Sequence, residues 1–285
     1  MSVKMRQGLR KKFIYGVIAL VLFVGTAALF RLWRHQEKDV YDVVLLGDSI
    51  LGQVRDETSV AALLSEKLGK SVYNGAFGGT NMAKMEADRS MSPKKGMLSM
   101  GELALAIGYD DFGVQQTLRI RENGTDYFAQ TVDELAQIDF SQVKLLVIQH
   151  GMNDYLDGVE LYNEEDPYDN YSFTGALRTA LKTLTKRYPD MRIILATPTY
   201  CWKLDVEQTC EEWDAGAGVL EDYVAAEWYV AKEFGVEVVD LYHDFYTHDA
   251  WEDWQINTLD GVHPNEAGRN MIAQRLADYC LEAEK

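Results

Sequence analysis

Beyond residue 40 the chain alternates short runs of consecutive apolar positions with longer stretches in which apolar residues recur at helical spacing. The runs DVVLLG (42–47), SVYNGAF (71–77), KLLVIQHG (144–151), RIILATPT (192–199) and VEVVDLY (236–242) carry Val, Ile or Leu on successive positions. Strands covered on both faces read this way, whereas half-exposed strands alternate. Helical spacing fits residues 54–69, 127–138, 174–188, 214–234 and 264–283. Strand–helix alternation of this kind predicts one α/β domain over 40–285 with a parallel, doubly wound sheet. Residues 80–126 break the rhythm and read as a lid-like insertion above the sheet ends. Met82, Met85, Met91, Met97 and Met100 fall there. They could line an adaptable apolar wall or simply fill the core.

The beginning of the chain follows a different rule. FIYGVIALVLFVGTAALF, Phe13 to Phe30, is free of charge and follows a basic tail over 1–12. With Leu32 and Trp33 it predicts a transmembrane anchor over 13–33, its N-terminus cytoplasmic and the domain beyond it extracytoplasmic. A cleaved signal peptide is the rival, since Gly25-Thr26-Ala27-Ala28 offers small residues, but Leu29-Phe30-Arg31-Leu32-Trp33 makes a poor mature start. Charge is split the same way. Residues 1–38 hold eight basic residues and one acid, and the remainder carries 20 basic against 44 acidic residues, a net −24. Such a body repels phosphate backbones, so nucleic acid is not an expected partner. Of the three cysteines, Cys201 and Cys210 are close enough to bridge, and three unlinked thiols is the equal alternative.

The chemistry centres on VVLLGDSILG, Val43 to Gly52, where a buried strand ends on a hydroxyl. Ser49 could cap the following helix or act as a nucleophile at the carboxyl end of a strand, where such sheets bind ligands. A nucleophile requires a base, an acid to orient it and donors for an oxyanion. Among five histidines, His263 lies in LDGVHPNEAG three residues after Asp260, just before the last helix. That spacing can join carboxylate and imidazole, or it can be ordinary helix capping. Gly151 and Asn153 follow the third strand, and Gly78-Gly79 follow the second. An Asn amide and a glycine N–H at those edges could donate to an oxyanion, although each stretch alone also reads as a turn.

Gly47-Asp48-Ser49-Ile50, the Gly79 turn, Gly151-Met152-Asn153-Asp154 and Asp260-Gly261-Val262-His263-Pro264 resemble, in order, the four blocks of the SGNH (GDSL) hydrolase superfamily. The resemblance spans about 40–283 and covers the excursion least. It implies a three-layer α/β/α sandwich with a five-stranded parallel sheet of flavodoxin-like type. It also implies Ser49 as nucleophile, His263 as base, Asp260 as its orienting acid, and an oxyanion hole from the Ser49 N–H, the Gly79 N–H and the Asn153 side chain, with Gly78 a substitute for Gly79. Ester hydrolysis or acyl transfer without a metal or other cofactor follows from it. Isoleucine replaces the family's usual leucine at position 50, and the Gly-x-Ser-x-Gly elbow of α/β-hydrolases is absent.

The expected function is thus an extracytoplasmic serine esterase acting on a short acyl ester, with carbohydrate as a candidate carrier. An O-acyltransferase acting on envelope glycan and an inactive envelope-binding protein are the alternatives. Three other stretches invite readings. Tyr162 to Phe173, YNEEDPYDNYSF, could bind a sugar, hold calcium or be a solvated loop. Asp240 to Trp254 carries His243, Asp244, His248 and Asp249, at a spacing that matches no metal site. Asn123-Gly124-Thr125 fits a glycosylation sequon.

Overall fold

The structure, a computed structural model, describes residues 38–85, 95–118 and 127–282. The expected anchor over 13–33 and the Asn123 sequon lie outside the described residues. Among the described residues no helix is long and apolar enough to cross a membrane. Residues from Val40 onward form one compact unit.

Five parallel strands build the sheet: β1 (Val43–Gly47), β2 (Val72–Asn74), β3 (Leu145–Gln149), β4 (Arg192–Ala196) and, at the far edge, Glu237–Val239. Their order places β2 at one edge, then β1, β3, β4 and Glu237–Val239. All ten residues of β1 and β3 are buried, as their unbroken apolar runs require. In register, Val43 faces Leu145 and Gly47 faces Gln149. A short antiparallel hairpin, β5 (Trp202–Lys203) with β6 (Gln208–Thr209), stands apart from this sheet, so the edge strand is β7 (Glu237–Val239).

Helices cover both faces. On one, α2 (Val60–Leu68) packs against α10 (Glu266–Glu282); on the other, α7 (Phe173–Arg187) packs between α3 (Met100–Tyr109) and α8 (Leu220–Phe234). This is a three-layer α/β/α sandwich. The remaining helices are short: α1 (Ser49–Gly52), α4 (Gly113–Thr117), α5 (Tyr127–Leu135), α6 (Met152–Asp157) and α9 (Trp254–Asn257). The ends of the long helices obey local chemistry. Ser59 caps α2 by accepting the Ala62 N–H at 3.2 Å, and Gly69, at φ +62°, ends it.

Within the 80–126 excursion, α3 belongs to a helical layer and its Met100 is fully buried, as is Met82. Both methionines fill the core. Cys201 and Cys210 are buried thiols on either side of the β5–β6 hairpin, with the Cys201 N–H 3.4 Å from the Cys210 sulfur.

The strand order reverses direction at β1, because the chain runs first to β2 on one side and then to β3 on the other. At such a point the two crossover connections diverge and leave a crevice beyond the carboxyl ends of the strands. Ser49 directly follows β1, and Asn153 lies four residues past β3.

Candidate active site

The turn after β1 resolves the ambiguity of its serine. Asp48, not Ser49, caps α1: its Oδ1 accepts the Ile50 N–H at 2.9 Å. The Ser49 hydroxyl is therefore spared from capping and lies 3.0 Å from His263 Nε2. As the first residue of a helix, Ser49 also carries a backbone N–H with no intrahelical acceptor.

The loop before α10 shows the same division of labour. Asn265 takes the capping role, its Oδ1 accepting the Gly268 N–H at 3.0 Å. The Asp260 carboxylate instead accepts from His263 Nδ1 at 2.7 Å through Oδ2, and from the backbone N–H groups of His263 and Val262 through Oδ1. Burial opposes ionisation of Asp260, but these hydrogen bonds prevail and hold its carboxyl below the ordinary value. An acceptor at Nδ1 fixes the neutral imidazole with its proton there and leaves Nε2 basic toward Ser49.

The loop is held from outside itself. The Trp202 N–H donates to the Gly261 carbonyl at 2.8 Å, and Leu259 N–H reaches the His263 carbonyl at 2.8 Å. Gly261 adopts φ +87°, and a β-carbon there would collide with the Trp202 carbonyl. Both conditions restrict the position to glycine.

Gly79 and Asn153 come together through a third contact. Asn153 Nδ2 donates one hydrogen to the Thr80 carbonyl at 2.9 Å, which orients the amide and leaves its second hydrogen to give. Gly79 is exposed, at φ +67°, and its N–H has no partner among the described residues. The Gly78 N–H donates to the Tyr127 hydroxyl at 2.9 Å, so Gly79 is the free donor of the pair. The loop that carries them is clamped by Asp154, whose two carboxylate oxygens accept from the Met82 N–H at 2.7 Å and the Ala83 N–H at 2.9 Å.

The sequence matches the model of the GDSL-like lipase/acylhydrolase family over residues 43–276. The chain belongs to this family. Its members are acylhydrolases, and this protein is an ester-hydrolysing enzyme of the GDSL type. Among solved structures it is similar to a Lactobacillus plantarum protein (TM-score 0.61, 17% identity, covering 87% of this chain and 99% of that one). It is also similar to a possible lipase from Chitinophaga pinensis (TM-score 0.55, 19% identity, 86% and 99% covered). At these identities the likeness is one of fold. No curated protein matches the sequence.

Among the described residues, the other histidines of this GDSL protein take no part in the Ser49–His263 contact. Burial pushes His150 down to about 3, so it is neutral. His243 is held between Asp240, 2.8 Å from Nδ1, and Glu221, 3.1 Å from Nε2. His248 stacks on Tyr200 with ring centres 4.1 Å apart. His243 and His248 are thereby engaged in pairing and packing, and among the described residues no group of His, Cys, Asp and Glu is arranged to hold a metal ion.

Arg269 is the contributor that motif reading overlooks. It is 8% exposed and bridges the two halves of the site, donating to the Thr58 carbonyl at 2.7 Å and to the Pro264 carbonyl at 3.0 Å. The signal was available: Arg269 falls in line with Ile272, Ala273 and Leu276, so a cation lies on the buried face of α10. A buried guanidinium requires acceptors.

Two outcomes follow from this geometry. Arg269→Leu leaves the buried Pro264 carbonyl and the half-buried Thr58 carbonyl without a donor and should destabilise the protein by roughly 2–4 kcal/mol, measured by urea unfolding. Burial raises Asp48 to about 7 from 3.8, against the opposing Ile50 hydrogen bond. A raised carboxyl favours the folded state at low pH, so this contribution is full below about pH 4 and is lost as pH rises toward 7. Asp48→Asn keeps the cap and removes the titration. Its stability relative to the parent should rise by about 4 kcal/mol between pH 4 and pH 8, and a gap independent of pH would contradict the assignment.

Proposed function

We propose that this GDSL enzyme hydrolyses short acyl esters on the outer side of the cytoplasmic membrane, with Ser49 as nucleophile, His263 as general base and Asp260 as the acid that orients it. The observation that carries the reading is the chain of contacts from Asp260 Oδ2 through His263 to Ser49 Oγ, at 2.7 and 3.0 Å. In the first step His263 Nε2 takes the Ser49 proton as Oγ attacks the ester carbonyl. The carbonyl oxygen gains negative charge and is met by three donors: the Ser49 N–H, the Gly79 N–H and the second hydrogen of Asn153 Nδ2. Collapse expels the alcohol, which receives the proton from His263, and leaves an acyl group on Ser49. Water, deprotonated by His263, then attacks that acyl carbon and frees the acid.

The donors suit this task because they are fixed before substrate arrives. Asn153 is oriented by the Thr80 carbonyl, the Gly79 turn is tied down through Asp154, and the Ser49 N–H is an orphan of a helix start. A small acyl group is supported over a long-chain lipid by the net −24 of residues 39–285, which disfavours approach to an anionic bilayer surface. The uncharged stretch Phe13–Phe30 behind a basic tail supports tethering to the membrane with the N-terminus cytoplasmic.

Ser49→Ala should lower kcat on p-nitrophenyl acetate by roughly a millionfold, to the level of the remaining binding and oxyanion contacts, with the unfolding curve unchanged. Retained turnover in that variant would refute the nucleophile assignment. Asn153→Ala removes one oxyanion donor and should cost a hundred- to thousandfold in kcat, roughly, with KM little altered. A loss confined to KM would place Asn153 in substrate binding instead.

A further inference from the structure

A cleft of 370 Å³ opens beside the loop that carries Gly79, lined by Lys84, Glu160, Tyr162, Asn163, Glu164 and Tyr171 among others. Lys84 and Met85 in its wall continue directly from Met82 and Ala83, the residues clamped by Asp154. On the other side, Val159 and Glu160 follow α6, which begins beside Asn153. Lys84 lies five positions after Gly79, a span of at most about 18 Å. The cleft is thus walled by segments that run on directly from the Gly79 loop and from the helix that carries Asn153.

Its chemistry is mixed in a particular way. Tyr162 is 62% exposed and its ring has neither an aromatic nor a cationic partner among the described residues. Tyr171 is 46% exposed, with the Lys84 ammonium 5.8 Å from its ring centre. Lys84 is in turn paired with Glu102 at 3.1 Å, while Glu160 and Glu164 have no ion-pair partner among the described residues. The free charge in the cleft is thus acidic.

The loop that presents these groups is rigid. Asn163 Oδ1 accepts the Glu165 and Asp166 N–H groups at 2.9 and 3.3 Å, and Asn163 Nδ2 donates to Asp169 Oδ2 at 2.9 Å. Asp169 Oδ1 accepts the Tyr171 N–H at 3.0 Å, which fixes the backbone from which that ring projects. Solvation alone gives no reason for two tyrosines on a preorganised loop beside unpaired carboxylates.

We infer that this cleft is a subsite for an uncharged oligosaccharide, the carrier of the ester group cleaved at Ser49. The inference rests on the esterase reading above and adds the substrate class. A pyranose ring offers C–H faces that pack on an aromatic ring and hydroxyl edges that donate to carboxylates. The volume lies in the range of small-molecule sites. The unpaired Glu160 and Glu164 turn away uronates and phosphorylated sugars by like charge. Because neither Ser49 nor His263 lines the cleft, a chain of several sugars is required to occupy both.

The test uses the full chain and two readouts. Calorimetric titration with a xylo-oligosaccharide lacking ester groups reads the subsite without any turnover. Binding by the parent protein, weakened at least tenfold in Tyr162→Ala and again in Tyr171→Ala, is the expected result. No binding by the parent, equal binding by both variants, or tighter binding of an oligogalacturonate would overturn the inference. Kinetics separate it from the esterase reading. Tyr162→Ala should raise KM for acetylated xylo-oligosaccharide at least tenfold while leaving p-nitrophenyl acetate hydrolysis unchanged. If Ser49→Ala still hydrolyses p-nitrophenyl acetate, the esterase assignment fails, whereas the calorimetric result stands or falls on its own.

Discussion

The hydrogen bond between Ser49 Oγ and His263 Nε2 joins positions 214 apart in sequence, and nearly every structural feature of the domain serves to make it possible. Its two partners come from opposite ends of the fold: one from the first strand, the other from the loop before the last helix. A contact of that length depends on the whole sheet being assembled, because no local element brings the residues together. The reversal of strand order at β1 opens the crevice, and the packing of α2 against α10 brings the His263 loop over it. Arg269 closes the arrangement from beneath, tying the segment after the serine to the carbonyl that follows the histidine. Hydrophobic burial supplies the bulk of the stabilisation, and a few directed contacts convert it into a distance of 3.0 Å.

Delegation recurs around the candidate site. A polar residue placed there has two uses, since it can satisfy the backbone of the next helix or remain available for chemistry. In three cases a neighbour takes the structural role. Asp48 caps where Ser49 could have, Asn265 caps where Asp260 could have, and Asp154 holds the glycine loop while Asn153 keeps one amide hydrogen unused. Adjacent positions in one short block thus divide structure from reactivity. Substitution of the structural member is expected to act on stability first and on turnover through displacement of its neighbour.

This division also explains what was legible in the sequence. The strands β1, β3 and β4 were readable because both faces are buried, so each appears as an unbroken apolar run, and α7, α8 and α10 because they are long and amphipathic. The observed β2 and β7 are only three residues each, shorter than their apolar stretches, since sheet edges lack a partner on one side. The residues now found together as Ser49, His263 and Asp260 could be named from their blocks, but whether each served as a cap could not. That question is decided by which neighbour accepts a particular N–H, and spacing does not carry this information. The β5–β6 hairpin escaped notice because two-residue strands have no periodicity. Its bond from Trp202 to Gly261 is nonetheless part of what holds the His263 loop. Of residues 80–126, α3 packs on α7 as part of the sandwich, which accounts for its apolar content.

Asp48, next in sequence to Ser49, and Asp260, bonded to the His263 imidazole, are pushed in opposite directions by their surroundings. Asp48 is buried with one oxygen unpartnered, and its carboxyl is driven up to about 7. Asp260 is more than half exposed at its side chain and accepts three hydrogen bonds, which lower it. Separation of this kind assigns roles, because a site that builds negative charge on an oxyanion gains from a neutral neighbour and from an ionised partner behind the imidazole. On the proposed mechanism an ionised Asp48, next in sequence to Ser49, would oppose that developing charge, and burial shifts this carboxyl toward its neutral form. On the proposed mechanism Asp260 acts in the other sense: its charge is separated from the oxyanion by the imidazole and would stabilise the imidazolium formed when Ser49 gives up its proton. The same type of side chain is thereby suited to silence on one side of the serine and to charge on the other. The difference is produced by burial and by the count of N–H donors aimed at each carboxylate.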